Sequence, residues 1–263
     1  MTTALVAIAK NEDHYLKEWV DYNLKLGFDE IFVYQNNWRY QKGEISDSRV
    51  HLLELDGHRM QNPCYNDFIR DHNQEYDFIA CFDCDEFLHI RDNVDFKTWL
   101  ESYRDIPVVY IPWRLFGDNG QDFVENDEYS CLKRFTKCDD KLRPLGKCIL
   151  NTKLTGNTVV YWNPHIVIMN QKRIEMPQYV FPDKTSVVKP WCIKPDDMRP
   201  YSNQPAEIWH FRNKTYQECY DRKFNQDDAF HEASECDFHT QLEAFNRTFE
   251  EHNKNVMDVS EVK

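Results

Sequence analysis

The 263-residue chain is poor in glycine: it has seven, and no two lie closer together than three positions. Loops that cradle phosphates on backbone amides need closely set glycines, so nucleotide chemistry of the P-loop type has no place here. Long apolar runs are also absent. None approaches the roughly 20 residues that a membrane-spanning helix requires. Positive charge is in deficit, with 32 Lys and Arg against 45 Asp and Glu and a net charge of −13. A protein whose main partner is nucleic acid needs a basic surface, so that class is excluded. Peripheral contact with a membrane surface stays open, although the basic residues do not gather in one amphipathic stretch. The N-terminus, MTTALVAIAKNED, lacks a basic n-region, a long apolar segment and a small-residue cleavage site. The expectation is a cytoplasmic protein whose structure begins at once. There is no internal repeat, no low-complexity tract and no dense histidine cluster.

What is present is globular in character: 41% hydrophobic and 14% aromatic residues, with nine cysteines. An odd number of cysteines scattered without a framework fits reduced thiols. Cys81 and Cys84 form a CxxC pair, but in an extended strand a separation of three sends them to opposite faces, which disfavours a shared zinc or redox site. The length suits one large α/β domain, expected over residues 1–225, with a helical C-terminal extension over 226–263 packed on it.

ALVAIA (4–9) is an apolar run of the kind found in a strand buried on both faces. A helix from Leu16 to Gly27 follows, then strands EIFVYQN (30–36) and RVHLLEL (49–55), a helix from about Pro63 to Gln74, and a fourth strand, YDFIACFD. A helix near 95–104, a strand PVVYIPW (107–113) and strand-like runs around 145–152 and 158–169 come next. A proline-rich irregular stretch (177–205) precedes a last third that reads as helix. Alternating βαβ units predict a mostly parallel sheet flanked by helices, Rossmann-like, with ligands at the carboxyl ends of its strands.

At such an end stands FIACFDCDEFLHI (78–90), with three carboxylates in four positions: Asp83, Asp85 and Glu86. Such crowding is unfavourable unless a cation or a proton compensates it, and a divalent metal does so best. Residues two apart on a strand share a face, so Asp83 and Asp85 project to one side as a DxD pair while Cys84 points away. A hard cation such as Mg²⁺ or Mn²⁺ takes one or two protein carboxylates and completes its shell with substrate phosphates.

Around this pair the chain carries Lys10-Asn11-Glu12, Tyr15-Leu16, Glu18-Trp19, Tyr22, Leu26-Gly27, Tyr34, Asn36 and Asp83-Cys84-Asp85-Glu86-Phe87. In order and spacing these resemble the nucleotide-sugar glycosyltransferases of the GT-A fold, in particular glycosyltransferase family 92 and related bacterial family 2-like enzymes. The resemblance continues in Trp113 with Phe116-Gly117-Asp118-Asn119-Gly120, in Lys147, and in His210-Phe211 with Lys214, Glu218 and Lys223, covering roughly residues 3–225. It departs at Gln35, where the family's second strand often carries aspartate, which leaves the donor's identity open.

The resemblance implies transfer of a sugar, with inversion, from a nucleoside-diphosphate sugar to a hydroxyl of a glycan or lipid-linked glycan, in cell-surface polysaccharide synthesis. It implies a divalent cation, Mn²⁺ or Mg²⁺, held by Asp85 and by Asp83, which is shared with the ribose; His165 or His210 is a candidate to complete the set. Lys10, Asn11, Glu12, Asn36, Asp83, Lys147 and Lys214 are expected around the donor, with Arg212 as a further cation for the diphosphate. The general base needs a carboxylate near the acceptor. Asp118, in a glycine-flanked loop, is the first candidate, and Glu86 and Asp122 follow. Two rival readings share these residues: a binding protein of the same fold without turnover, and a metal-dependent phosphodiester-processing enzyme.

Overall fold

The structure, a computed structural model, describes residues 1–43, 45–126, 128–169, 176–187, 204–224 and 257–258. In chain order the strands and α-helices are β1 (Thr3–Ala9), α1 (Leu16–Leu26), β2 (Glu30–Asn36), β3 (Val50–Leu55), α2 (Gln61–His72), β4 (Phe78–Cys81) and β5 (Glu86–Ile90). There follow α3 (Phe96–Glu101), β6 (Val108–Leu115), α4 (Cys131–Arg134), β7 (Lys137–Cys138), β8 (Arg143–Asn151), α5 (Thr152–Thr155), β9 (Val160–Asn163) and β10 (Ile166–Ile168). β11 (Tyr179–Val180), β12 (Ala206–His210), α6 (Tyr216–Phe224) and β13 (Met257–Asp258) complete the series.

Among the described residues the main sheet has nine strands in the order β3-β2-β1-β4-β8-β6-β12-β5, with β11 also on β6. Its first four strands are parallel, β8 is antiparallel to both neighbours, and β12 is parallel to β6 and antiparallel to β5. This is the expected mixed, mostly parallel α/β architecture. β1 is buried at every position because it lies between β2 and β4 with side chains packed on both faces. One core contains α1, α3 and the inner side of β5; the other contains α2 and the β9–β10 hairpin.

The connection from β4 to β5 bends the sheet. β5 stands four places from β4, about 19 Å away in a flat sheet with strands spaced by about 4.8 Å. Five extended residues reach only about 17 Å, and the Asp83–Glu86 turn, closed by the Glu86 amide on the Asp83 carbonyl at 3.0 Å, reaches less. The sheet therefore curls, bringing β5 back over α1, where the Trp19 indole donates to the Glu86 carbonyl at 2.8 Å.

Three expectations need correction. Asp83 and Asp85 do not lie on a strand: β4 ends at Cys81, and residues 83–86 form a turn, so the period-two argument for a shared face fails. His165 lies in the turn between β9 and β10, where Pro164 interrupts the run and the His165 amide donates to Asn163 Oδ1 at 2.8 Å. Met257 and Asp258 pair with Cys138 and Lys137 as a short strand, not a helix, in a segment flanked by the β-branched Val256 and Val259. The rest of the expected extension, and the expected boundary at 225/226, lie outside the described residues. Cys81 and Cys84 do face opposite sides, one in each core, and the seven described cysteines are buried. No helix among the described residues is long and apolar enough to cross a membrane.

Candidate functional site

The strand order fixes where a ligand crevice belongs. From β1 the chain winds outward to β2 and β3, then crosses to the other side of β1 as β4. Loops leaving the carboxyl ends of β1 and β4 thus diverge, and open α/β sheets bind ligands at this switch point. Here the β1 loop carries Lys10, Asn11 and Glu12, and the β4 turn carries Asp83, Asp85 and Glu86. Asn11 is held at φ 60°, in the left-handed region that non-glycine residues seldom occupy.

The turn's carboxylates are separated into two environments. Asp83 Oδ2 accepts from Lys147 Nζ at 2.9 Å, while Oδ1 accepts from Gln61 Nε2 at 2.7 Å and the Tyr65 hydroxyl at 3.3 Å. Lys147 is wholly buried on β8 and also lies 3.6 Å from Glu86 Oε2. Burial works against its charge, but Asp83 and then Glu86 outweigh it and raise its pKa. Glu86 is wholly buried beneath the turn. Its Oε2 accepts from the Asp83 amide at 3.0 Å, and its Oε1 has no hydrogen-bond partner among the described residues. Burial drives the Glu86 carboxyl well above the usual carboxylate range, with the charge of Lys147 opposing it. A proton on Glu86 leaves Lys147 and Asp83 as a neutral pair.

On the other side, Asp85 Oδ1 lies 3.5 Å from His210 Nε2 and Oδ2 lies 3.6 Å from Arg222 Nη1. Burial disfavours the charge of Asp85, yet His210, Arg222 and Lys214 together hold its carboxyl well below the usual range. Lys214, at φ 57°, sits over the Tyr15 ring at 4.0 Å and pairs with Glu12 at 3.2 Å. Thr215 and Glu218 form a capping box at the start of α6: the Thr215 amide donates to Glu218 Oε2 at 3.1 Å and the Glu218 amide to Thr215 Oγ1 at 3.2 Å. Glu218 also accepts from the Tyr15 hydroxyl, tying α6 to α1.

Both candidate histidines flank Trp113, with ring centroids 5.0 Å away for His165 and 4.3 Å for His210. Trp113 follows a bulge where Pro112, which has no amide to donate, stands opposite Gly146. His165 Nδ1 lies 3.0 Å from the Gly146 carbonyl, which makes Nδ1 the protonated nitrogen. Burial, then the charge of Lys147, push His165 down to about 4.

The structure thus gathers Glu12, Asp83, Asp85, Glu86, Lys147, His165, His210 and Lys214 around the β1 loop and the β4 turn. Lys147 and Glu86 support the turn from within and present no surface to a ligand. Asn36 is buried, and its amide donates to the carbonyls of Leu55 and Gly57, holding the end of β3. Gln35 spends its side-chain oxygen on the Tyr40 amide at 2.8 Å. Asp118 follows β6 on the same carboxyl edge, with Oδ1 accepting from the Gly120 amide at 2.9 Å, and the Asp122 carbonyl accepts from the Gln217 amide of α6. Gln61, Tyr65 and Arg222 were not singled out from the sequence. Nothing local marks the first two, and Arg222 stands one place before the family's Lys223.

For a divalent ion the fit is partial. Both oxygens of Asp83 are engaged by Lys147, Gln61 and Tyr65, and among the described residues no three His, Cys, Asp or Glu side chains gather as a metal-holding set. Asp85 and His210, 3.5 Å apart, do suit two adjacent positions on one ion, and two protein donors suffice where phosphates complete the shell.

No protein-family model matches the chain, and no curated protein does. Among solved structures, HddC from Yersinia pseudotuberculosis aligns at 12% identity over 70% of this chain and 87% of that one, with a TM-score of 0.33. The same protein complexed with GMP-PN aligns at 14% identity over 62% and 80%, also at 0.33. A TM-score this low carries no argument about this chain.

Proposed function

We propose that the chain is a glycosyltransferase that moves a sugar from a nucleoside-diphosphate sugar to a hydroxyl of a glycan or lipid-linked glycan. The observation that supports this best is the concentration of paired charges at the β1/β4 switch point, the place where an α/β sheet receives a nucleotide. The family resemblance supplies the class of reaction and its inverting course. Lys214, from the segment after β12, and Lys10, from the β1 loop, would face the diphosphate. A divalent ion held by Asp85 and His210 would stabilise the negative charge of the leaving diphosphate. Asp83, fixed by Lys147, Gln61 and Tyr65, presents its carboxylate in one orientation. Asp118 would take the proton of the acceptor hydroxyl, using the oxygen that does not hold Gly120.

The test is a screen of sugar nucleotides for release of nucleoside diphosphate, with Mn²⁺ or Mg²⁺ and with excess chelator. Release from one sugar nucleotide, lost in chelator and in Asp85→Asn, supports the reading and its metal. Failure to turn over or hydrolyse any sugar nucleotide with either ion sinks it in favour of a binding protein.

A further inference from the structure

Among the described residues, the Asp85 side of the turn carries more positive charge than its carboxylates match. The segment that leaves β12 and enters α6 brings Arg212, Lys214 and Arg222 to one place. All three interact electrostatically with Asp85. Lys214 is matched by Glu12 and Arg222 by Asp85. Arg212 is half-buried, and no hydrogen bond from its guanidinium to a carboxylate or carbonyl forms among the described residues. Its neighbour is another cation: Arg222 donates to the Arg212 carbonyl. Two guanidinium groups placed together in a partly buried site are unfavourable until an anion joins them.

The Arg222 pairing is also the loose one. At 3.6 Å it is longer than a charge-assisted hydrogen bond, and the Arg222 side chain, 30% exposed, is more open than those of Asp85, His210, Lys214 and Glu12. α6 holds it in reach of the crevice, since the Tyr216 and Gln217 amides donate to the carbonyls of Gln121 and Asp122 in the loop after β6.

We propose that Arg222, with Arg212 beside it, is an anion-binding pair that exchanges Asp85 for the diphosphate of the ligand, so that this side of the crevice takes the anion without a metal ion. The inference rests on the donor reading above and adds Arg222 to the cations that meet the donor's diphosphate. A guanidinium fork suits phosphate oxygens, and its departure frees Asp85.

Calorimetric titration in excess EDTA with inorganic pyrophosphate, UDP and GDP tests this on the full chain, Arg222→Met and Asp85→Asn. The expected result is binding of at least one probe, weakened about tenfold or more in Arg222→Met, a change of about 1.4 kcal/mol. Asp85→Asn, which removes the competing carboxylate, should bind the same probe more tightly. Tighter binding of a nucleoside diphosphate than of pyrophosphate identifies the nucleotide as the source, and equal binding identifies the diphosphate alone; both support the pair. If Arg222 only anchors α6, both variants melt earlier and affinities stay as in the parent, which overturns the proposal. So does absence of binding by every probe in EDTA. Should Arg222→Met fail to fold, the sign of the Asp85→Asn change decides. Sugar-nucleotide turnover can succeed while chelated binding fails, and the reverse, so the two proposals fall separately.

Discussion

Lys147 Nζ lies 2.9 Å from Asp83 Oδ2, and this pair of a wholly buried lysine and a partly exposed aspartate, joined from β8 to the β4 turn, is the charge that the crowded acidic segment needs. A lysine so enclosed is costly to leave unpaired, and so are its partners. Lys147→Met strands Asp83 beside Glu86 and should cost about 2–3 kcal/mol, less than breaking a fully buried ion pair from one side, because Asp83 keeps part of its carboxylate in water. Chemical denaturation measures it. Adding Asp83→Asn to Lys147→Met should restore part of the loss, because the remaining side chain is neutral. An additive double mutant would mean that the two groups do not act as a pair.

Gly146 sets the second support. A Cβ there would stand 2.1 Å from the Ile111 carbonyl oxygen, a backbone atom that cannot move aside cheaply. Gly146→Ala should therefore destabilise the protein by at least about 2 kcal/mol and disturb the bulge that aims Trp113 between the two histidines. Gly120→Ala is the control. Nothing lies within 4 Å of its Cβ, and only its φ of +74° resists substitution, at a cost of about 1–2 kcal/mol. A melting comparison in which Gly120→Ala is the more harmful would contradict the packing argument.

Much of the scaffold around β1 and β2 was legible in the residues. The run EIFVYQN coincides with β2, and ALVAIA falls within β1, because a strand buried on both faces needs near-continuous apolar character. β12 was not legible: AEIWH does alternate, with Ala206, Ile208 and His210 on one face, but it is five residues long and its partners lie far along the chain. The same distance hides the ion pairs. Asp83 and Lys147 are 64 positions apart, so a carboxylate cluster that reads as an empty cation site already carries its own lysine. The turn at 83–86 was misread because β4 stops short for a reason of topology, the crossing to β5, that no local pattern records.

His165 links stability to pH. Its pKa is pushed down to about 4 by burial and by Lys147, against about 6.5 in an unfolded chain. Between those values the unfolded state binds the extra proton, so His165 contributes stability that is fully present above about pH 6.5 and is lost as pH falls toward 4, by at most about 1.4 kcal/mol per unit. The stability difference between the parent protein and His165→Gln should therefore shrink as pH falls through this window. Denaturant titrations at pH 7, 6, 5 and 4.5 measure it, and a difference independent of pH would place His165 in water.

Asp118→Asn separates a chemical role from a structural one. In the structure Oδ1 accepts from the Gly120 amide at 2.9 Å, and the Gln121 amide returns to the Asp118 carbonyl at 3.1 Å, so the side chain closes the loop as a short polar cap. Asparagine retains a carbonyl oxygen at the same position, and the melting temperature should stay close to that of the parent. If the carboxylate also removes the acceptor's proton, the variant should bind donor as before and lose about two to four orders of magnitude in transfer rate, the worth of a positioned general base. Hydrolysis of the donor by water should fall less. The decisive measurement is the transfer rate at saturating donor and acceptor. A loss under about tenfold, or roughly 1.4 kcal/mol of barrier, would leave Asp118 as the cap alone. Glu86, wholly buried beneath the turn, could not then take its place without exposing the core, so the search would move to Asp122, whose carbonyl already meets the first turn of α6.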